Sequence, residues 1–413
     1  MEIADCREFF PSVTAPLPGG RVPIYLDGPG GSQVPASVMT AMTAYYLSSN
    51  ANTHGAFWTS RLTDRTVSEA RLAAADFLGA SSPETISFGQ NMTTLNFLLS
   101  EAIAATLQPG DEIVVTELDH EANVAPWLRL EDRGIRVRQI PIGNDGRLDS
   151  DAWAHTLSDR TKLVALGWAS NALGTVNPVA EIRQWTRQVG AWLLIDAVHW
   201  APHGPIDVGA LEPDFLLCSS YKFFGPHVGI LYSAPGRLEA LPTLRVRTQN
   251  PRPPYRIETG TLNHAALAGV TAAINFIATC GQAGETRRER LKDAMNRIYA
   301  YEHRLAADLY RELLNIPGIR VYGPPVDDKP RTPTLSFTVD GRHSAEVASL
   351  LAAEDIYVWD GDFYALGVLT HYGLQDQGGL VRIGLAPYNT VEEITRTVEV
   401  LAQIASATGS KRP

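Results

Sequence analysis

Two short apolar runs, close together in sequence and each ending abruptly in a polar cluster, constrain this chain most. Trp192-Leu193-Leu194-Ile195 ends in Asp196, and Phe215-Leu216-Leu217-Cys218 ends in Ser219-Ser220-Tyr221-Lys222, ahead of Phe223-Phe224-Gly225-Pro226. Runs this short, bounded by turn residues, read as strands buried on both faces. Such strands belong to a mostly parallel sheet lying between helices, and ligands in these sheets sit beyond the carboxyl ends of the strands. Asp196 at one strand end and Lys222 at the next would then face one crevice.

That pairing suits one chemistry. A lysine amine forms a Schiff base with the aldehyde of pyridoxal phosphate, and a carboxylate keeps the pyridine nitrogen protonated so the ring can accept electrons. Taken singly, an Asp in this position is more often a turn former and a Lys more often a solvated charge. The choice of lysine is narrow, because the chain has only Lys162, Lys222, Lys292, Lys329 and Lys411. Lys292 falls on a charged helical stretch, Lys329 in a Pro-rich loop and Lys411 in the tail. Lys222 alone follows an apolar strand and precedes a Gly-Pro turn.

Other strand ends repeat the pattern. Residues 1–20 read as a Pro-rich lead-in, and Ile24-Tyr25-Leu26 as a short strand broken by Asp27-Gly28-Pro29-Gly30-Gly31. That glycine cluster permits close backbone approach, and by itself is only a turn signal. Thr66 to Leu78 has helical spacing. Thr85-Ile86-Ser87-Phe88 runs into Gly89-Gln90-Asn91-Met92-Thr93-Thr94 and then a helix start. Free N–H groups there would cradle a phosphate; plain capping by Asn or Thr explains the same residues equally well. Glu112-Ile113-Val114-Val115 leads to Asp119-His120-Glu121, and Leu163-Val164-Ala165-Leu166 to Ser170-Asn171-Ala172.

From Glu285 to Leu313 an amphipathic helix carries Leu291, Met295, Ile298, Leu305, Leu309 and Leu313 on one face. Beyond it the pattern reads as a smaller α+β domain. Its expected strands lie near Leu335-Ser336-Phe337, at Ile356-Tyr357-Val358 and at Leu380-Val381-Arg382-Ile383. Its expected helices cover Ser344–Ala353 and Val391 to about Ile404. The expected division is thus 1–20, a large domain over 21–284 and a small one over 285–413.

A formal net charge of −10 argues against nucleic acid or an anionic membrane as partner. No secretory signal or long apolar run is present, so a cytoplasmic protein is expected. Cys6, Cys218 and Cys280 are widely spaced, which suggests neither a disulfide framework nor a zinc site, and no metal is expected.

Six ordered motifs together resemble the class V aminotransferase and cysteine desulfurase family of fold type I pyridoxal phosphate enzymes. They are residues 119–123 (DHEAN), 170–175 (SNALGT), 195–199 (IDAVH), 219–222 (SSYK), 258–261 (ETGT) and 382–390 (RIGLAPYNT). The resemblance implies Lys222 as the Schiff-base lysine and the proton shuttle at the α-carbon. It implies Asp196 against the pyridine nitrogen and His120 on the ring face. Asn171 would contact the ring oxygen or the substrate. His199, where the family usually has Gln, would donate to the ring oxygen. Ser219 and Tyr221 would hold the phosphate with Asn91, Met92 and Thr93, although Tyr221 stands where a His is usual. Thr261 would reach the phosphate of a neighbouring subunit, implying a homodimer. Arg382 would clamp the α-carboxylate of an amino acid substrate, with Gly28 beside it.

One departure matters for activity. Cysteine desulfurases attack sulfur with a mobile cysteine just after the position of Val358, and here residues 359–365 read WDGDFYA. The segment is expected to be a loop, and no cysteine follows Cys280. Residues 27–31 and Asn52-Thr53-His54-Gly55 also differ from the desulfurase pattern. The expected reaction is therefore C–S cleavage by β-elimination. Transamination or epimerisation is the runner-up; true desulfurisation, or a pyridoxal-binding sensor without turnover, ranks lower. Trp359, Phe363, Tyr364, Trp58 and Phe57 read equally as a pocket for a bulky substrate or as an interface cluster.

Overall fold

The two apolar runs form adjacent strands. The computed structural model describes residues 1–326 and 330–409; Lys329 and Lys411 lie outside the described residues. A two-residue strand, β1 (Ile24–Tyr25), comes first. There follow β2 (Ile86–Gly89), β3 (Glu112–Thr116), β4 (Arg136–Ile140), β5 (Thr161–Gly167), β6 (Trp192–Asp196), β7 (Phe215–Ser219) and β8 (Gly229–Ser233), joined in one seven-stranded sheet. Its order is β2-β8-β7-β6-β5-β3-β4, and only β8 runs antiparallel to its neighbours.

Alternate residues of the central strands feed two apolar layers, which is why the strands read as unbroken apolar runs. Leu193, Ile195, Leu216 and Cys218 pack with Ala73, Phe77, Val270 and Ile274 on one face. Leu194, Phe215 and Leu217 pack with Leu95, Leu99 and Ile103 on the other. The edge strand β4 escaped the sequence reading because Arg136, Arg138 and Gln139 are exposed. Charged side chains on an edge discourage pairing with a second sheet.

The C-terminal part contains β9 (Ile319–Tyr322), β10 (Thr334–Val339), β11 (Ile356–Tyr357), β12 (Trp359–Gly361) and β13 (Leu380–Gly384). Four of them form an antiparallel sheet in the order β12-β13-β10-β9, while β11 pairs in parallel with β1. The N-terminal residues Cys6, Phe10 and Val13 are buried in the core of the large sheet.

The long helix spans Arg287–Asn315 and opens with a reciprocal Thr286/Glu289 capping box. Its apolar face serves two cores. Leu291, Met295 and Ile298 pack against the large sheet, and Leu305, Leu309 and Leu313 against the small one. This helix therefore fixes one sheet relative to the other. Among the described residues no helix is long and apolar enough to cross a membrane.

Two expectations need correction. The helix expected from Thr66 begins at Trp58. Ser60 and Thr63 are buried there and donate to the carbonyls of Asn52 (2.6 Å) and of Ser49 and Ala51 (both 3.0 Å), so a polar stretch forms the helix's packed face. The segment after Val358 is not wholly a loop. Trp359-Asp360-Gly361 pairs antiparallel with β13, placing Trp359 opposite Arg382. Three residues without alternation carry no strand signal; the partner strand decides.

Candidate active site

Between the carboxyl edge of the large sheet and strands β12 and β13 lies a cavity of about 1130 Å³. Asp196 and Lys222 line it from the ends of β6 and β7, and Asn171 and His120 from the turns after β5 and β3. Arg382 enters from β13 and His199 from the turn beyond Asp196.

The Lys222 amine donates to the Pro29 carbonyl and lies 4.9 Å from the centre of the Tyr221 ring. Burial, then the nearby Arg382 guanidinium, pushes the amine down to about 7, against the opposing pull of Asp196 and Asp27. Burial raises the Asp196 carboxyl to about 6, although it accepts the Val198 N–H at 2.9 Å and faces Lys222. A lysine near neutrality is a nucleophile and a base at working pH.

The depressed lysine carries a stability consequence. The folded chain binds this proton less readily than the unfolded chain, whose amine keeps its ordinary value of 10.5. The penalty is complete below about 7 and fades as pH rises toward 10.5. Denaturant unfolding of the cofactor-free protein should therefore show wild type gaining on Lys222→Met between pH 7 and pH 9.5. Equal changes in both proteins would refute the shift.

His120 accepts the Ala122 N–H at Nδ1 (2.9 Å), and burial, with Lys222 and Arg382 adding, holds it down at about 4. It is thus a neutral imidazole with its proton on Nε2. Its neighbour Asp119 fixes the turn, accepting from Thr116 Oγ1 (2.9 Å), Asn123 Nδ2 (3.0 Å) and the Gly167 N–H (2.9 Å). Asn171 donates from Nδ2 to the Phe363 carbonyl at 2.8 Å, which leaves its buried Oδ1 without a partner. Arg382 donates to the Asn171 carbonyl at 3.0 Å, and its guanidinium carbon lies 4.2 Å from the centre of the Phe363 ring. Its Nε is buried with no partner.

The helix Met92–Ala104 begins at the wall of the same cavity. Asn91 caps it by accepting the Thr94 N–H at 2.9 Å, and Ser219 Oγ accepts the Met92 N–H at 3.0 Å. The capping reading of this turn is therefore observed, and the first turn of the helix lines the cavity with Thr93. Gly229 makes the close approach possible, because a Cβ there would meet the Asn91 carbonyl carbon at 2.4 Å. Tyr221 stacks flat on His227, with centroids 4.6 Å apart.

Not every expected residue joins this cavity. Gly28 packs against β13, its N–H donating to the Gly384 carbonyl at 3.3 Å, and Pro29 and Gly30 line the cavity instead. Thr261, expected to serve a neighbouring subunit and not this cavity, is exposed and lines a separate cavity beside Arg71, Glu258 and His264. His199 is in place, but its Nε2 is engaged by Thr334 Oγ1 at 2.9 Å and Thr332 Oγ1 at 3.2 Å. Sequence reasoning missed the Pro29 carbonyl, Phe97, His227 and Asp362. Only the glycines around Pro29 offered any signal.

A strand-end lysine and carboxylate facing an arginine across a two-domain cleft, on this sheet order, define a fold type I pyridoxal-phosphate-dependent enzyme. The comparisons agree: the aminotransferase class-V profile matches residues 24–397, and the chain belongs to that family. A cysteine desulfurase of Cronobacter sakazakii is 31% identical over 414 residues, spanning 96% of this chain and 97% of its own length. The apo structure of a cysteine desulfurase from Thermococcus onnurineus NA1 superposes with a TM-score of 0.87 at 29% identity, covering 98% of each chain. A cysteine desulfurase from Escherichia coli gives 0.86 at 26%, covering 98% of this chain and 99% of its own. Family membership implies pyridoxal phosphate as the cofactor and a small molecule as the substrate.

Proposed function

We propose that this enzyme holds pyridoxal phosphate in the Lys222 cavity and cleaves the C–S bond of a cysteine-type amino acid by β-elimination. What favours elimination over desulfurisation is the placement of the thiols. Cys6, Cys218 and Cys280 are all buried in the core of the large sheet, and none lines the cavity. Burial pushes every one of these thiols up, Cys280 to about 11, so none is a ready thiolate. Elimination needs no thiol nucleophile.

The cavity suits the cofactor. The first turn of the Met92–Ala104 helix, with Thr93, Ser219 and Tyr221, would meet the phosphate. Asp196 would pair with the ring nitrogen, His120 would lie on the ring face, and the orphaned Asn171 Oδ1 and His199 would serve polar groups near the ring oxygen. Thr261 would complete the phosphate site of the partner in a homodimer. When bound, the cofactor supplies an electron sink that weakens bonds at the substrate α-carbon.

The remaining work falls to side chains. Arg382 fixes the α-carboxylate through its planar donor fork. Lys222 Nζ takes the proton from the α-carbon; the Cβ–S bond breaks with its electron pair on sulfur, and the departing thiolate takes a proton. Hydrolysis of the three-carbon remainder gives pyruvate and ammonia. Asp196→Asn keeps an acceptor for the Val198 N–H but loses the charge, and turnover should fall by about 10²–10³-fold, as when one electrostatic partner is removed from an active site. Near-wild-type turnover would remove Asp196 from this role.

The test of the reaction is a panel of cysteine, cystine and S-substituted cysteines presented to the cofactor-loaded enzyme. Pyruvate with ammonia is the expected result. Pyridoxamine phosphate with a keto acid would make it an aminotransferase, inverted amino acid an epimerase, and alanine with sulfane sulfur a desulfurase.

A further inference from the structure

Residues 362–364 carry the only two consecutive non-glycine residues with positive φ among the described residues. Phe363 and Tyr364 are consecutive non-glycine residues in the left-handed region, with φ of 55° and 57°. This conformation is unfavourable for an L-residue and persists only where its surroundings fix it. Here they do. The Tyr364 N–H donates to Asp362 Oδ1, Asn171 Nδ2 to the Phe363 carbonyl and the Glu121 N–H to the Tyr364 carbonyl, each at 2.8 Å. Two of these donors belong to the turns that carry Asn171 and His120, so the segment is pinned to the opposite side of the cleft.

The pinning places three aromatic rings in order. Phe363 is buried on the Arg382 guanidinium, and Tyr364 lies over His120 with centroids 5.4 Å apart. Trp359 borders the same cavity, and a Cβ on Gly30 would come within 2.4 Å of its indole nitrogen, so only glycine lets the ring lie there. Tyr364 and Trp359 remain 69% and 52% exposed, large apolar surfaces at the mouth of the cavity, with Asp362 beside them. Both exposed rings border the cavity of about 1130 Å³ that Arg382 and Lys222 also line.

We infer that Trp359 and Tyr364 are specificity-determining residues that select amino acids carrying a large aromatic or otherwise apolar group beyond the β-position. The inference rests on the reading that this cavity takes an amino acid. Arg382 holds the carboxylate end, Phe363 fixes Arg382, and the two exposed rings cover the distal group by apolar burial and edge or offset stacking. Asp362 at the mouth disfavours an anionic group there.

The test titrates the absorbance band of the cofactor-loaded enzyme with L-alanine, L-phenylalanine, S-methyl-, S-benzyl- and S-carboxymethyl-L-cysteine. Apparent Kd needs no turnover. The benzyl and phenyl compounds should bind about ten-fold or more tighter than their small counterparts, with the carboxymethyl compound weakest. Tyr364→Ala and Trp359→Ala should each remove most of that ratio while leaving the Kd of L-alanine and the dimer–monomer balance unchanged. Equal binding of large and small amino acids overturns the inference, as does an effect of the variants only on oligomeric state. If no amino acid perturbs the band, the amino acid reading itself fails.

Discussion

Lys222→Ala is expected to lose covalent attachment of pyridoxal phosphate and at least about 10³-fold in turnover, the scale seen when a group central to a catalytic unit is removed. Borohydride treatment of wild type loaded with the cofactor should add the cofactor's mass irreversibly to the intact chain, and the variant should stay unmodified. The assignment is sharp because Lys222 is the only lysine lining the cavity among the described residues. Its amine is held near 7 by burial and by Arg382, so the nucleophile is available without a separate base. Folding should survive the change, since removing a buried amine also removes the cost of burying its charge. Irreversible labelling of Lys222→Ala at wild-type level would place the attachment elsewhere.

Arg71→Met is the second large effect, and it acts on stability. The Arg71 guanidinium pairs through both terminal nitrogens with Glu258 (2.7 and 2.6 Å), and Nη1 also donates to the Ile86 carbonyl at 2.6 Å. Glu258 also accepts the Phe88 N–H at 2.7 Å, and the guanidinium lies between the Phe88 and Tyr255 rings at 5.2 and 5.1 Å. Both side chains are buried, 6% and 5% exposed. Removing the arginine strands a carboxylate in the interior, which costs about 3–5 kcal/mol where such pairs are broken. Denaturant unfolding should show that loss, and Arg71→Met/Glu258→Leu should recover part of it, because no charge is then left unpaired. The Phe88 N–H would still lack its acceptor, so recovery should be incomplete. A single variant as stable as wild type would show that Glu258 has another partner.

The pair also ties the segment carrying Thr261 to strand β2, Glu258 and Phe88 being 170 residues apart in sequence. No pattern around Arg71 announced this. It lies on a helix whose spacing is unremarkable, and its partner is 187 residues away. The same holds for the Pro29 carbonyl that receives the Lys222 amine and for the pinned turn at Phe363 and Tyr364. Each is made by segments that meet only after both sheets have formed.

What the sequence determined by itself was the large sheet's central strands, the long helix and the strand-end lysine and carboxylate. A strand buried on both faces must be apolar throughout and stop where its ligand begins, so β6 and β7 mark their own ends at Asp196 and near Lys222. The edge strand β4, the short β12 and the early start of the Trp58–Leu78 helix depended on tertiary structure. Their side chains are polar or too few to show a period, and partners distant in sequence stabilise them. The site divides along the same line. Chemistry-bearing residue types are visible one at a time, but the depressed amine of Lys222, the neutral His120 and the aromatic mouth exist only because folding removes water and brings Arg382, Asp196 and residues 359–364 to one cleft.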